Sequence, residues 1–294
     1  MSLQSQIKSL IEEKKYTMRG ISTALGISHA TLSLWLNDKY TGNNNSLRDA
    51  AINFLERESE RNAKPRNNQA IPFCNTTAAQ SAFGALRSCH LNGEIGVITA
   101  EAGYGKTTAC KAYTARYRDA ILIQADLSYS TRITMQQLHK KLNMAGEGSI
   151  HAMLTDIIDR LNESGRLLII DEAEHLPVRA LDLIRTINDR TGIGIALVGL
   201  PRLIHNLRGK KGEHTYLYSR VGFTTRLEPL QEDDTRLIIT AVGNPASVAA
   251  AFHASAQGCA RRLSKLIFRT RSLCSINNLP LDKEMVRSAA TMII

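Results

Sequence analysis

No apolar run in the chain approaches the roughly 20 residues that a membrane-spanning helix requires. The N-terminus, MSLQSQIKSLIEEKK, mixes both charges in an amphipathic pattern and lacks the apolar stretch of a secretory leader. Cysteine is sparse: Cys74, Cys89, Cys110, Cys259 and Cys274 are scattered, odd in number and without a CxxC pair. This argues against a disulfide framework or a thiolate zinc site and predicts reduced thiols in a cytoplasmic protein with no membrane partner. With 294 residues there is no room for a second motor core, so an autonomous helicase is not expected. Acidic residues are in deficit, 27 against 37 Lys and Arg, for a net charge of +10. That excess is more than an enzyme of nucleotides needs and suits a protein that lies along DNA.

Against these absences one stretch stands out. Ile95, Val97 and Ile98 lead into AEAGYGKTT and then a helical pattern, the strand–loop–helix context of a phosphate-binding P-loop. Gly103 and Gly105 let backbone N–H groups curl round an anion, and the helix beginning near Lys106 points its positive end at the same place. The loop from Ala102 through Gly103, Tyr104, Gly105, Lys106, Thr107 and Thr108 is expected to hold ATP. Lys106 would reach the terminal phosphates, and the Thr107 hydroxyl would ligate Mg2+. The usual first glycine of the motif is missing and Ala100, the smallest replacement, stands there.

Further on, LLIIDE is a buried apolar run ending in two carboxylates, the second half of a P-loop ATPase. Asp171 is expected to hold the Mg2+ shell and Glu172 to polarise the attacking water.

The rest of the chain arranges itself around this pair. Residues 1–60 read as a small all-helical unit. Ile7, Leu10 and Ile11 form a first stripe, Thr17 caps a second helix with Ile21, Ala24 and Leu25 inward, and Gly26 turns into a third helix through Leu32, Trp35 and Leu36. Helix, glycine turn, helix is the helix-turn-helix arrangement, and ISTALGISHATLSLWLN resembles its repressor-like branch, a resemblance that implies His29, Ala30, Thr31 and Ser33 face a major groove. No Arg, Gln or Asn opens that third helix, so any DNA contact is expected to discriminate bases weakly. Residues 46–60 look like a closing helix, and 61–76, with Pro65 and Pro72, read as a linker. Residues 77–230 alternate helices and strands, with strands at 121–125, 167–171 and 194–199 and helices at 135–142, 150–161 and 178–188. This predicts a doubly wound α/β sheet. Residues 231–294 are helices only, at about 231–242, 246–256, 258–272 and 282–292: a lid. A parallel α/β core followed by a helical lid is the AAA+ plan.

In order and spacing, the helical N-terminal unit, the P-loop core, LIIDEAEHL and the NDKYTGNN stretch together resemble the B-type transposition proteins of Mu-like phages. The likeness runs the length of the chain. The resemblance implies an ATPase that oligomerises on double-stranded DNA with ATP bound, as a homo-oligomer or helical filament. It also implies that target DNA is delivered to a DDE-type transposase, which is activated in the cytoplasm of a bacterial host. In YLYSRVGFTTR it assigns Arg220 as the arginine finger reaching a neighbour's ATP, and in GCARRLSKL it assigns Arg261 as the lid's phosphate sensor. At the end of the strand GIALVG, where the pattern wants a polar residue, stands Leu200, which implies slow hydrolysis or a water positioned by Glu172 and backbone alone. The basic, glycine-bearing loop with Arg208, Lys210 and Lys211 is a candidate for contacts to the DNA backbone. Two other readings compete: a helix-turn-helix transcription regulator switched by ATP, and a secretion-accessory ATPase, which would carry a membrane span or a peptidoglycan-binding segment, neither of which the sequence shows.

Overall fold

The computed structural model describes residues 2–63, 71–209 and 212–293, and the chain divides into two compact units, Met1–Gln69 and Ala70–Ile294. The first unit holds α1 (Leu3–Glu12), α2 (Met18–Ala24), α3 (His29–Leu36) and α4 (Asn44–Ala63). Each of the first three starts where a hydroxyl can accept a backbone N–H: Ser2, Thr17 and Ser28 cap Ser5, Gly20 and Thr31 respectively. Gly26, at φ +69°, makes the turn between α2 and α3. The core is Ile7, Ile21, Leu25, Leu32, Trp35, Leu36, Leu47, Ala51 and Phe54. Ala24, expected inside, is exposed, because Ile21 and Leu25 already fill the inward stripe of α2.

In the second unit α5 (Thr77–Asn92) precedes β1 (Ile95–Thr99), α6 (Lys106–Arg116) and β2 (Ala120–Gln124). Next come α7 (Thr131–Lys141), α8 (Ile150–Leu161), β3 (Leu167–Asp171), α9 (Val178–Thr191) and β4 (Gly194–Gly199). Two short helices, α10 (Arg202–Arg208) and α11 (Thr215–Tyr218), lead to β5 (Val221–Arg226). All pairings are parallel, in the order β2-β3-β4-β1-β5. Alternation explains the two faces. Leu168, Ile170, Ile195 and Leu197 pack with Met135, Leu138, Met153, Ile157 and Ile184 of α7, α8 and α9. Leu167, Ile169, Ala196 and Val198 pack with Ala82, Leu86, Cys110 and Tyr113 of α5 and α6 on the other side. Because both faces are covered, these strands read as continuous apolar runs. β5 lies at an edge and alternates half-buried with exposed residues, which is why no apolar run marks it.

The lid comprises α12 (Glu232–Ala241), α13 (Ala249–Ala256), α14 (Ala260–Asn277) and α15 (Lys283–Thr291), packed on Ile239, Phe252, Leu263, Leu266 and Val286. Several boundaries move from the sequence-based expectation for local reasons. α7 begins at Thr131, not 135, because the Ser130 hydroxyl caps Ile133. The helix expected at 246–256 opens as a 3-10 turn over Ala246–Val248, and α14 runs on to Asn277. The expected linker 61–76 is narrower: α4 continues through Ala63, and Ile71 and Cys74 pack against the lid core. Among the described residues no helix is long and apolar enough to cross a membrane.

Candidate active site

β1 delivers the chain to Ala100, whose side chain is fully buried with the α5–α6 layer and whose N–H donates to the Gly199 carbonyl at 3.2 Å. A methyl group therefore fits where the motif usually has glycine. The loop then needs two left-handed residues, and glycine supplies both: Gly103 at φ +86° and Gly105 at φ +89°. Gly105 caps α6 without a side chain, so the first turn of that helix opens towards the loop with its backbone N–H groups. Lys106 is buried and curls back, its Nζ donating to the carbonyls of Ala100 at 2.7 Å and Glu101 at 3.0 Å. Burial pushes this ammonium below the usual lysine range, against the opposing pull of Glu174, Asp171 and Glu101.

At the next residue, Thr107 Oγ1 donates to Asp171 Oδ2 at 2.6 Å. Asp171 ends β3 and is fully buried; burial raises its carboxyl above the ordinary range, and the bonds from Thr107 and the Glu172 N–H oppose that rise. A hydroxyl and a carboxylate converging on one point offer hard oxygen donors, the set that Mg2+ takes when it keeps waters and shares substrate phosphates. Among the described residues no group of three or more His, Cys, Asp or Glu could hold a metal. The donor types fit Mg2+, which Thr107 and Asp171 would hold.

Glu172 adopts φ +56°, a left-handed conformation that turns the chain abruptly off the strand. Its Oε1 accepts from Gln124 Nε2 at 3.1 Å, its Oε2 lies 3.8 Å from His175 Nε2, and its side chain is 42% exposed. The lid closes the far side: the Arg261 N–H donates to the Gly103 carbonyl at 3.2 Å, and Cys259 Sγ lies 3.9 Å from the carbonyls of Ala102 and Gly103.

These groups surround one cavity of about 440 Å3. Ala102, Gly103, Gly105, Lys106, Thr107, Thr108, Asp171, Glu172 and Arg261 line it, together with Leu200 and Glu174. Such a volume, bounded by convergent polar groups, is in the range of a small-molecule site. Tyr104 is the exception within the expected loop: it does not line the cavity, and its side chain packs against the α5–α6 layer. Arg220 lies outside the cavity too, 58% exposed, with its Nε 3.9 Å from Asp189 Oδ1.

The comparisons with known proteins agree with this architecture. Residues 90–207 match the family described as "AAA domain". The Mu-like prophage FluMu DNA transposition protein B of Haemophilus influenzae is 25% identical over 83% of this chain and 86% of its own length. The ATP-dependent target DNA activator B of Escherichia phage Mu is 26% identical over 81% of this chain and 77% of its own. The chain carries an AAA+ P-loop ATPase core and is similar over four-fifths of its length to the Mu B-type proteins. Among solved structures, the Aeropyrum pernix ORC2 protein shares the fold, with a TM-score of 0.59 at 15% identity over 78% of this chain and 72% of that one.

For this AAA+ chain, the candidate DNA-contacting residues fall into three groups. On α3 His29 is exposed, whereas Thr31 and Ser33 are half-buried and the Thr31 hydroxyl sits 2.8 Å from the Ser28 hydroxyl at its own helix cap. Arg208 donates to Tyr218 Oη at 2.8 Å, with its guanidinium 4.2 Å from that ring's centre. Lys210 and Lys211 lie outside the described residues. Sequence reasoning missed Gln124, Glu174, His175 and Cys259. Glu174 and His175 were visible in DEAEH, but strand alternation does not carry across the turn that Glu172 makes.

Proposed function

We propose that the chain binds ATP with Mg2+ between adjacent copies of itself, assembles on double-stranded DNA with little sequence preference, and delivers that DNA to a transposase which it activates. The observation that carries this reading is the single cavity at which the P-loop, both strand-end acids and the lid's Arg261 meet. Likeness to target DNA activators over four-fifths of the chain supports the step from nucleotide to DNA. Net charge of +10 supports a polyanion partner.

In this reading the α6 N-terminus and Lys106 hold the phosphates, with Lys106 exchanging its two carbonyl partners for them. Mg2+, when bound, neutralises charge developing on the phosphate oxygens. Glu172 accepts a proton from water as the water oxygen bonds to the γ-phosphorus and the bond to the ADP oxygen breaks, giving ADP and phosphate. Arg261 couples the lid to the nucleotide, and exposed Arg220 reaches the site of the next copy, so hydrolysis loosens the contact between copies and releases DNA.

The test is gel-shift and electron imaging on unrelated DNA fragments with ATP, with ADP and without nucleotide, beside Lys106→Ala. Coating that needs ATP, ignores sequence and is lost in Lys106→Ala is expected. Tight binding to one site regardless of nucleotide would replace this reading with a helix-turn-helix transcription regulator.

A further inference from the structure

Besides the two acids at the end of β3, the cavity holds a third. Glu174 lies in the 3-10 turn Ala173–His175, with its side chain only 2% exposed. Its Oε2 is buried without a hydrogen-bond partner among the described residues, while its Oε1 is 3.9 Å from Arg202 Nη2. The turn is pinned by Asn206, whose Nδ2 donates to the Glu174 carbonyl at 3.0 Å. A carboxylate oxygen held this way needs a donor from the cavity it lines. Phosphate oxygens offer only acceptors, so a nucleotide's phosphates cannot supply that donor, whereas a water can.

The location narrows the role. Glu174 Oε2 lies over the last residue of β4, so close that a Cβ on Gly199 would be 2.1 Å from it. The next residue, Leu200, lines the cavity but carries no polar atom on its side chain. The carboxylate from the turn after β3 thus takes the place at the β4 end where a polar side chain was expected. Glu172, by contrast, is half-exposed and engaged with Gln124.

We propose that Glu174 is a second carboxylate on the attacking water and does the work that Leu200 cannot. The inference rests on the ATP-hydrolysis reading above. The water donates one O–H to Glu174 and the other to Glu172, which leaves an oxygen lone pair for the γ-phosphorus. As the oxygen–phosphorus bond forms and the bond to ADP breaks, the proton passes to Glu172, while Glu174 keeps the position of the water fixed.

The experiment uses the full chain as parent, Glu174→Gln, Glu174→Gln with Leu200→Asn, and Gly199→Ala, whose methyl displaces the same Oε2. Steady-state turnover is measured beside binding of a fluorescent ATP analogue and of fluorescent ADP with aluminium fluoride, which mimics the water-attacked phosphate. Glu174→Gln should bind the ATP analogue within about three-fold of the parent, lose about a hundred-fold in kcat, and lose the extra affinity that aluminium fluoride confers. Adding Leu200→Asn should restore about ten-fold in kcat, and a role confined to structure would not be rescued this way. Unchanged turnover in Glu174→Gln overturns the proposal, as does loss of ATP binding in step with turnover, which would mean that Glu174 acts through Lys106. Should Glu174→Gln fail to fold, Gly199→Ala decides: a folded Gly199→Ala with parental turnover overturns the proposal. A parent that binds no ATP analogue at all refutes the nucleotide reading itself, a distinguishable result.

Discussion

Replacing Gly103 by alanine places a methyl group where the phosphate loop meets the lid. The new Cβ would sit 2.5 Å from Cys259 Sγ and 3.2 Å from Arg261 Cβ, and the backbone would have to keep φ +86°. Holding a non-glycine residue there costs about 1–3 kcal/mol. Moving the lid away to clear the sulfur also gives up the Arg261 N–H bond to the Gly103 carbonyl, worth about 1 kcal/mol. A total near 3 kcal/mol lowers Tm by roughly 6–12 °C for a unit of this size. The ATP-bound state, which needs the lid seated, weakens by up to about a hundred-fold. Cys259→Ala separates the two contributions, since it removes the sulfur and leaves the backbone strain. In a double-mutant cycle by calorimetry and nucleotide titration, the pair should be coupled by about 1 kcal/mol or more, in the direction of rescue. Additive effects, or a Gly103→Ala protein with parental Tm and affinity, would refute the reasoning.

Three further outcomes are expected. The folded-state pKa of Asp171 is raised above 3.8, so the native protein holds a proton that the unfolded chain has released, and stability falls as pH rises through that window. Asp171→Asn should therefore melt above the parent at pH 7, with the gap closing towards pH 4, while Mg2+-dependent nucleotide binding is lost; a lower Tm at pH 7 in thermal scans counts against the burial argument. Burial depresses Lys106, so removing that ammonium as Lys106→Met should raise nucleotide-free stability at neutral pH and abolish ATP binding. Arg220→Ala should bind ATP and not turn it over, yet mixing it with inactive Lys106→Ala should recover activity, because one copy keeps the site and the other the exposed guanidinium. An inactive mixture in a coupled ATPase assay would place Arg220 outside the reaction.

Much of the core was legible because its strands are buried on both faces and its loop needs glycine at Gly103 and Gly105, constraints that leave marks in composition. Lys106, Thr107, Asp171 and Glu172 could be named from spacing alone, and the fold gathers them at one cavity. What spacing could not carry depends on tertiary approach. Tyr104 packs against the α5–α6 layer, a tertiary contact that no local pattern signals. Glu174 and Gln124 reach the site because Glu172 breaks the strand with a left-handed residue and because β2 lies beside β3 in the sheet. The edge strand β5 carries no apolar run, and the start of α7 rested on one serine cap.

The short bond from Thr107 to Asp171 sets an order of arrival. The hydroxyl points its hydrogen at the carboxylate, so a cation entering between them must first turn that hydrogen away and separate two oxygens 2.6 Å apart. Lys106 is likewise engaged with two carbonyls until a phosphate displaces them. Neither the metal alone nor an empty loop gains much from rearranging these contacts, whereas a nucleotide with its cation replaces both sets together. In the proposed reading, such a site would resist free Mg2+ and take the complex as a single ligand.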